Sequence, residues 1–401
     1  MSQTAATRHS PDRHLAESGA GDEPAAARGT ILVTGTGIDL SLLEPLKLSH
    51  GLVPHPVSEH LSEEQLAYEL RDVVAYVHGG EERATAQALG KAGKLKVVAF
   101  LGVGYENFVD VAAADALGIV VTNTGGAATE SVATFTVGQI INANWRITHS
   151  LRDPHHPLWH GPEDLPHELR TRTVGIVGMG AIGTRIAEIM TQAFGARVVY
   201  FSRTPKRDVE RRLGLEFLPL HELAEKSDIL VVMVPETDQT RGMIDADVLT
   251  RVRKGAILVN TARPAVVDPE ALHDALRKET VALAVFDGFY GRDSGAGGRL
   301  LDDFGDRLLV TGHIASHTRE AMDRMVGRAV RSVANVLSNG ADEHAVGSHG
   351  GPDADRPVKA SSRPGGWKLF RSVPESLRLG ALIQASWYRG KRQPAARRTQ
   401  P

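Results

Sequence analysis

Short apolar runs alternate with amphipathic segments over residues 30–340 of the chain. Runs that are rich in Val, Ile and Leu and are bounded by Gly, Pro or Asp are typical of strands buried on both faces. Because these runs alternate with segments whose apolar residues recur at helical spacing, the pattern predicts an α/β fold with parallel sheets and crossover helices. The predicted strands span residues 30–33, 73–77, 95–100, 173–177, 198–201, 228–234, 256–260, 281–286 and 308–311.

The amphipathic segments are the predicted helices. Residues 66–70 and 84–89 would connect strands of the first half, and a helical repeat begins at Ile182. Residues 319–339 place Met and Val side chains on one face. This face predicts a long helix that packs back on the body of the protein.

Both ends of the chain lack this periodicity. Residues 1–29 are rich in Ala, Ser, Gly, Asp and Arg and are predicted to form a disordered tail. Residues 341–366 have the composition of a linker. The whole extension 341–401 holds eleven Lys or Arg and five Asp or Glu residues, a net charge of +6. Two interpretations stay open: a disordered appendage, or a short basic amphipathic helix that contacts a partner or an anionic surface.

A glycine-rich turn separates the strand at 173–177 from the helix that follows it. The turn reads Gly178-Met-Gly180-Ala181-Ile182-Gly183. In this spacing the first glycine allows a tight turn, the second lets the backbone approach a phosphate, and the third lets helix and strand pack closely. The turn therefore predicts a grip for a dinucleotide pyrophosphate at the helix N-terminus, with an ordinary strand-turn-helix as the alternative.

The residues after the next strand bear on which dinucleotide binds. A carboxylate there would bind the ribose hydroxyls of NAD, whereas an Arg accommodates the 2′-phosphate of NADP. Here the strand at 198–201 is followed by Ser202 and Arg203. Since the Arg fork suits phosphate, we expect NADP(H) to be preferred, with NAD(H) possible if this loop is only a solvated basic segment.

Composition narrows the class of protein. The chain has 401 residues, enough for two domains of ordinary size. The net charge of −2 argues against nucleic-acid binding, and the absence of cysteine excludes disulfides, thiolate catalysis and Cys-based zinc sites. No apolar run approaches the ~20 residues of a membrane span, and no signal peptide is evident, so a cytoplasmic protein is expected.

Four histidines lie close together between residues 153 and 167. Such a group can indicate a metal site. Their Pro-rich surroundings and irregular spacing instead favour a surface insertion, and no metal site is predicted.

Chemically active side chains follow two of the later strands. Ligands of open parallel sheets bind at the carboxyl ends of the strands. Arg263 lies just beyond the strand at 256–260, where it could bind a carboxylate through two hydrogen bonds and polarise an adjacent carbonyl. His313 follows the strand at 308–311, and an imidazole can give a proton to a carbonyl oxygen near neutral pH. The alternatives are a structural Arg263 with a buried acidic partner, and His317 as the proton donor.

Two loops of the first half are further candidates for ligand contact. Val103 and Gly104 follow the strand at 95–100, and their backbone N–H groups could hold a carboxylate, although a simple tight turn is the alternative. His78 follows the strand at 73–77 and is expected to present its polar side chain to the ligand.

Taken together, these motifs resemble the D-isomer-specific 2-hydroxyacid dehydrogenase family over residues 30–340. The resemblance rests on residues 95–107, 173–183, 227–240, 260–263 and 313–316. It implies two doubly wound, Rossmann-like parallel-sheet domains with the active site in the cleft between them. The substrate-binding domain would comprise 30–124 plus 316–340, and the NAD(P)-binding domain 125–315. A homodimer would be usual.

The resemblance also implies roles for individual residues. Arg263 would bind the carboxylate and carbonyl of a 2-oxo acid, and His313 would be the general acid in reduction. Val103 and Gly104 would hold the carboxylate through backbone N–H groups. Asp287 would contact the nicotinamide carboxamide or only brace its loop. The remaining expected cofactor contacts are Val234, Pro235, Thr240, Thr261 and Ala262.

One position departs from the family pattern. The family pairs its His with a glutamate shortly after an Asp-x-Phe element, and here that position carries Arg292 with Asp293 beside it. A carboxylate partner would raise the pKa of the His and fix its tautomer. Either Asp293 substitutes through a shifted loop, or His313 works without this partner.

The expected function is hydride transfer from NADPH or NADH to a small 2-oxo acid, giving a D-2-hydroxy acid. Glyoxylate, pyruvate, hydroxypyruvate or a larger 2-oxo acid would all fit. The alternative from another class is an NAD(P)H-sensing binding protein with little turnover, suggested by the missing glutamate and the basic extension. An amino-acid or phosphite-type dehydrogenase on the same scaffold is a third interpretation.

Overall fold

The computed structural model describes residues 29–152, 161, 165–291 and 295–349. It contains two parallel sheets, each covered by helices on both faces. This confirms the predicted fold class of two doubly wound parallel-sheet domains.

Sheet 1 has five strands in the order β2-β1-β3-β4-β5. Its strands are β1 Gly29–Thr34, β2 Leu52–Val57, β3 Val73–His78, β4 Val97–Phe100 and β5 Val120–Thr122. The helices between them are α1 Glu44–His50, α2 Glu63–Glu69, α3 Ala86–Leu89 and α4 Val111–Ala116. A short 3₁₀ turn, Tyr105–Asn107, follows β4.

Sheet 2 has seven strands in the order β12-β11-β10-β9-β6-β7-β8. Its strands are β6 Thr173–Val177, β7 Arg197–Phe201, β8 Glu216–Phe217, β9 Ile229–Val232, β10 Ala256–Asn260, β11 Val281–Asp287 and β12 Leu308–Thr311. Helices α5 Thr129–Trp145 and α6 Ile147–Arg152 precede it. The helices within it are α7 Ala181–Phe194, α8 Arg207–Leu213, α9 Leu220–Lys226, α10 Ala246–Leu249, α11 Pro269–Arg277 and α12 Ala296–Phe304.

The apolar strand residues divide between two cores on either side of each sheet, because successive strand side chains point to opposite faces. In sheet 2, Val174 and Ile176 pack against α5 and α7, whereas Val177 packs on the side of α9, α11 and α12. The long helix α13, Arg319–Asn339, covers one face of sheet 1 through residues such as Val326 and Val333. The predicted helix at 319–339 is therefore confirmed. The boundaries assigned to the two domains stay a prediction.

The strand order reverses at one point in each sheet: between β1 and β3 in sheet 1, and between β6 and β9 in sheet 2. At such a point the loops after neighbouring strands diverge and leave a crevice for a ligand. The glycine turn that begins at Gly178 follows β6, so it lies at the crevice of sheet 2.

Three strands were not predicted. Strand β2 contains Pro54 and Pro56, which cannot donate to a ladder and are tolerated because β2 lies at the sheet edge. Strands β5 and β8 are only three and two residues long. These segments carry too little periodicity to be read from sequence.

After α13, the first residues of the segment predicted to be a linker from residue 341 contact sheet 1. The backbone N–H of Val346 donates to the carbonyl oxygen of Val121 in β5, and Ala345 and Val346 are buried. Two apolar residues within a polar segment are therefore enough to fix residues 341–349 on sheet 1.

Several predictions fall on residues that the structure does not describe. These are the tail 1–28, most of the histidine-rich insertion, and the extension from residue 350 onward. In the described ranges no helix combines the length and the apolar character that crossing a membrane requires. The same ranges contain no group of three His, Asp or Glu side chains arranged to hold a metal ion.

Candidate active site

The three glycines of the turn after β6 lie in three different environments. Gly178 has a φ of +109°, and a methyl group on it would overlap the carbonyl oxygen of Met233 at the end of β9. A methyl group on Gly183 would overlap the carbonyl oxygen of Gly178. A methyl group on Gly180 would meet no atom within 4 Å, so the backbone there faces open space.

The N-terminus of α7 opens onto the same space. Gly180 is its N-cap and provides no side-chain hydrogen bond to the first turn, which begins with Ala181 and Ile182. The free N–H groups and the helix dipole favour an anion at this point. The turn and the helix together fit the pyrophosphate of a dinucleotide.

Of the other residues expected at the cofactor, Val234 lies beside this turn, and Pro235, Thr240 and Thr261 lie on the loops after β9 and β10. The side chain of Val234 lies next to Gly178, and the Thr240 hydroxyl donates to the Pro235 carbonyl at 2.6 Å, which folds the loop after β9. Thr261 follows β10, and its hydroxyl lies 2.7 Å from that of Thr136 on α5.

Ser202 and Arg203 directly follow β7. The Ser202 hydroxyl donates to the Thr204 carbonyl at 2.6 Å. The Arg203 side chain is exposed and has no ion-pair partner among the described residues, whereas the neighbouring Arg207 pairs with Glu210 at 2.9 Å. Arg203 is thus a cation available to a ligand.

Arg263 is held at the carboxyl end of β10 by the side chain of Asn260. The Asn260 amide donates to the Arg263 carbonyl at 2.9 Å and accepts from the Ala262 N–H at 3.0 Å. The Arg263 Nη1 donates to the Ala262 carbonyl at 2.9 Å, which turns the guanidinium back over its own loop.

The guanidinium of Arg263 meets the loop that follows β4 in sheet 1. A methyl group on Gly104 would overlap Arg263 Nη2, so the guanidinium lies directly against the backbone of this loop. Val103 beside it is 54% exposed. The structure therefore brings together Arg263, Val103 and Gly104, which come from the two different sheets.

Burial lowers the pKa of Arg263, and the carboxylates of Glu106, Glu236, Glu81 and Asp287 oppose this effect. The group stays protonated at neutral pH because the ordinary pKa of a guanidinium lies far above neutrality. The half-buried guanidinium therefore keeps its positive charge and can bind a substrate anion.

His313 lies on the loop between β12 and α13 in a strained backbone conformation. Its φ is +57°, a region that non-glycine residues seldom adopt. Its Nε2 lies 3.4 Å from Nη1 of Arg263. The structure thus places the two predicted catalytic side chains in contact, while His317 is exposed.

Asp287 holds the His313 loop in place. Its carboxylate, 2% exposed, accepts hydrogen bonds from the Thr311 hydroxyl at 2.7 Å, the Ile314 N–H at 2.8 Å and the Ala315 N–H at 2.9 Å. Sequence reasoning left open whether Asp287 contacts the cofactor or braces its loop. These hydrogen bonds favour bracing.

The pKa of His313 lies below its ordinary value of 6.5. Burial is the main cause, and the positive charge of Arg263 adds to it. Asp287 and Glu81 act in the opposite direction. The positions of Arg292 and Asp293, where the family places the partner of this His, lie outside the described residues.

The expectation that His78 faces the ligand is wrong. The strand β3 continues through His78, and its side chain is 0% exposed. The ring stacks on Tyr76 with centroids 4.9 Å apart and also contacts Phe100 and Phe108. Its Nδ1 lies 3.4 Å from the Glu82 carboxylate, so His78 belongs to the core of sheet 1.

Four further polar residues of the site were not predicted from the sequence. The charges of Glu81, Glu106 and Glu236 act on Arg263. Asn107 forms a hydrogen bond with Glu236. Glu236 directly follows Pro235, and Glu106 and Asn107 follow the Val103-Gly104 pair within three residues. Their positions after strands β3, β4 and β9 were the available signal. The sequence could not predict that these three loops lie next to one another.

Comparison with known proteins agrees with this geometry. Residues 137–315 match the family model described as D-isomer specific 2-hydroxyacid dehydrogenase, NAD binding domain. The glyoxylate reductase of Aeropyrum pernix is 40% identical over 263 residues, covering 63% of this chain and 76% of that protein. The glyoxylate reductase of Thermococcus onnurineus is 38% identical over 285 residues, covering 67% and 83% respectively.

Solved structures show the same architecture. A protein of Thermus thermophilus is 32% identical with a TM-score of 0.69, covering 79% of this chain and 100% of that chain. The D-lactate dehydrogenase of Aquifex aeolicus, complexed with NAD and lactic acid, is 25% identical with a TM-score of 0.66, covering 77% and 95%. The chain therefore belongs to the D-isomer specific 2-hydroxyacid dehydrogenase family, and it is an oxidoreductase that uses a nicotinamide cofactor to interconvert 2-oxo and 2-hydroxy acids.

Proposed function

We propose that this enzyme prefers NADPH and reduces small 2-oxo acids to 2-hydroxy acids, in the D configuration where the product is chiral, with glyoxylate the first substrate to test. The observation that carries the proposal is the contact between Arg263 and His313 opposite the Val103-Gly104 loop. The likeness to two glyoxylate reductases supports the choice of glyoxylate.

Arg263 would bind and orient the substrate. Its guanidinium can hold one carboxylate oxygen and the neighbouring carbonyl oxygen, because its donors lie in one plane with fixed spacing. The backbone N–H groups of Val103 and Gly104 would hold the other carboxylate oxygen. This arrangement selects acids that carry a carbonyl directly beside the carboxylate.

His313 would donate the proton. Its Nε2, 3.4 Å from Arg263, lies beside the position in which Arg263 would hold the carbonyl oxygen. As negative charge develops on that oxygen, the imidazolium transfers its proton to give the hydroxyl group. Asp287 is a positioning residue in this account, because it fixes the loop that carries His313.

The glycine turn and the start of α7 would hold the cofactor pyrophosphate, and Gly178, Gly180, Ala181, Ile182 and Gly183 are its proposed contacts. When bound, the reduced nicotinamide supplies the hydride that adds to the carbonyl carbon. Val234, Pro235, Thr240, Thr261 and Ala262 would line the path from the pyrophosphate to the ring.

The preference for NADPH rests on the loop after β7. Ser202 is neutral and Arg203 is an exposed cation without an ion-pair partner in the described part of the chain. A 2′-phosphate would gain a charge-assisted hydrogen bond there, and no carboxylate directly follows β7 to repel it.

We also propose a homodimer located in the cytoplasm. The support for the dimer is an apolar surface at the end of α5 and on α6, where Trp145, Ile147 and Leu151 are 49%, 41% and 78% exposed. Such a patch on one surface is typical of an interface. Light scattering should give a mass of two chains, and Leu151→Lys should reduce it to one.

Product analysis tests the proposed reaction. With NADPH and pyruvate, each NADPH oxidised should yield one molecule of D-lactate, identified by chiral chromatography. A simple ketone without a carboxylate, such as acetone, serves as the control and should not react. L-Lactate would contradict the proposed D configuration of the product, and equal rates with acetone would contradict the proposed binding of the carboxylate by Arg263.

A further inference from the structure

A hydrogen bond joins the two sheets beside the proposed substrate site. Asn107, the last residue of the 3₁₀ turn after β4, donates its Nδ2–H to Oε2 of Glu236 at 3.2 Å. Glu236 lies in the loop after β9 of sheet 2. The two residues are 129 positions apart in the chain, so the bond forms only when the sheets come together.

The Glu236 carboxylate is held in a fixed orientation. Its other oxygen, Oε1, forms an ion pair with Arg241 Nη2 at 2.5 Å, and the side chain is only 10% exposed. A nearly buried carboxylate between two donors has little freedom to turn away. The side chain therefore presents Oε2 to Asn107 as a defined acceptor.

The bridge connects the two loops that are proposed to bind different ligands. Asn107 lies three residues after Gly104, on the loop proposed to hold the substrate carboxylate. Glu236 directly follows Val234 and Pro235, which are proposed to contact the cofactor. A shift of either loop would stretch or break the bond between Asn107 and Glu236.

The same substrate loop also meets sheet 2 at Gly104, where the Arg263 guanidinium lies against it. Attachment at these two neighbouring points fixes both the distance and the angle of the loop to Arg263. Without the hydrogen bond from Asn107 to Glu236, the loop could still touch Arg263 but would no longer be held at one orientation.

We infer that Glu236 is a positioning residue, which, through Asn107, holds the Val103-Gly104 loop opposite Arg263 and couples cofactor binding to the binding of the 2-oxo acid. This inference rests on the proposed function for the identity of the two ligands. Glu236 touches neither reacting atom in this account. Its effect is therefore on substrate affinity and on the coupling of the two ligands, and the proton transfer at His313 is left intact.

A partner exchange tests the inference. Asn107→Asp places two carboxylates against each other and should raise the KM for glyoxylate roughly 10-fold or more, with kcat changed less than about 3-fold. Adding Glu236→Gln to this variant restores a hydrogen bond in the reverse direction, because the new amide at position 236 can donate to the new carboxylate at position 107. This double variant should return KM to within about 3-fold of the wild type. Asn107→Ala, which introduces no repulsion, should show a smaller rise in KM.

The matched control removes a carboxylate elsewhere in sheet 2. Glu225 on α9 pairs with Arg251 at 2.8 Å on the surface. The double variant Asn107→Asp/Glu225→Gln has the same formal charge as the Asn107→Asp/Glu236→Gln variant but no restored bond, so it should retain the high KM. Equal rescue by both doubles, or no change in KM for both Asn107→Asp and Asn107→Ala, would overturn the inference.

A binding measurement tests the coupling without turnover. Oxamate, a non-reducible isostere of pyruvate, should lower the Kd of NADPH in the wild type. This decrease in Kd should be smaller in Asn107→Ala and in Asn107→Asp. It should return in the double variant Asn107→Asp/Glu236→Gln. An undiminished effect in both single variants would refute the coupling. Oxidation of NADPH by the wild type is measured separately. Its absence would contradict the proposed reaction, whereas an oxamate effect that is the same in wild type and variants would contradict only this inference.

Discussion

Arg263 and His313 lie 3.4 Å apart, Nη1 to Nε2, although they follow strands β10 and β12, which are separated by β11 in sheet 2. Each side chain is fixed by a different support. Asn260 holds the Arg263 backbone, and Asp287 holds the loop of His313. Because both supports are buried, the pair is assembled before substrate arrives, which reduces the reorganisation needed during reaction.

Arg263→Lys should lower kcat/KM for 2-oxo acids by roughly 100-fold or more, because an ammonium group keeps the charge but loses the planar pair of donors. The Kd of NADPH, measured by fluorescence titration, should change less than about 3-fold. The control is Arg251→Lys on the surface, which should leave kcat/KM unchanged. Arg241 is not suitable for this purpose because it pairs with Glu236. A variant with near wild-type kcat/KM would remove Arg263 from substrate binding.

The pH dependence of reduction should report on His313. Burial and Arg263 lower the pKa of His313 below 6.5, and the protonated form is the proton donor. We therefore expect kcat/KM for reduction, which reports the free enzyme, to fall as pH rises through a midpoint below 6.5. In the substrate complex the carboxylate offsets the charge of Arg263, so the fall in kcat should lie at higher pH.

The control for this profile is His221→Asn on α9, which should leave both midpoints unchanged because His221 is exposed and is not among the groups that shift the pKa of His313. His313→Gln should reduce kcat by roughly 10²–10⁴-fold and flatten the profile. If the same midpoint persists in His313→Gln, the titration belongs to another group.

The two later glycines of the turn should respond differently to alanine. Gly183→Ala would place a methyl group on the Gly178 carbonyl oxygen and should destabilise the fold by about 1–3 kcal/mol, despite the higher helix propensity of Ala. Gly180→Ala meets open space, so its melting temperature should match wild type while its Kd for NADPH rises. Calorimetry and titration separate the two effects. A Gly180→Ala variant with unchanged Kd would argue against pyrophosphate binding at this turn.

Cofactor choice should depend on Ser202 and Arg203. Ser202→Asp places a carboxylate at the proposed 2′-phosphate site and should lower kcat/KM for NADPH by roughly 10-fold or more while sparing NADH. Arg203→Ala should act in the same direction more weakly. Arg197→Ala, at the opposite end of β7, is the control. Equal changes for both cofactors would contradict the assignment.

His78 should make stability depend on pH. Burial lowers its pKa from 6.5 to about 4, with the charge of Glu82 opposing the shift. Between these values the unfolded chain binds a proton that the folded protein does not, so stability is complete above pH 6.5 and is lost as pH falls toward 4. The loss attributable to this group is roughly 3 kcal/mol.

His78→Phe should flatten the dependence in that range, because an aromatic ring can still pack on Tyr76 and Phe100. The measurement is urea denaturation at several pH values between 4 and 7. His55→Phe, at an exposed position on β2, is the control. An equally steep dependence in His78→Phe would assign the effect to other groups.

Residues that directly follow strands were the predictable part of this site. Arg263, His313 and the glycine turn each follow an apolar run whose end is visible in the sequence, and parallel strands bring such ends to one edge. The same reasoning gave a wrong prediction for His78, because strand β3 extends one residue further than expected and includes it. At that position the side chain shares a face with Tyr76 and is buried with it.

Contacts between the sheets could not be predicted. The bond between Asn107 and Glu236, and the approach of Arg263 to Gly104, depend on the relative position of two separately folded layers. The three hydrogen bonds to Asp287 depend on the path of a single loop. Local periodicity carries no information on either, whereas it did indicate nine of the twelve strands in the described part of the chain.

The proposed function requires that this chain oxidises NADPH with 2-oxo acids. The most direct measurement is the initial rate at which the absorbance of reduced nicotinamide disappears, with NADPH and with NADH, against glyoxylate, pyruvate and hydroxypyruvate. We predict saturable turnover with at least one of these acids and a higher kcat/KM for NADPH than for NADH. Confirmed binding of NADPH without turnover of any of the three acids would contradict the proposed reductase activity.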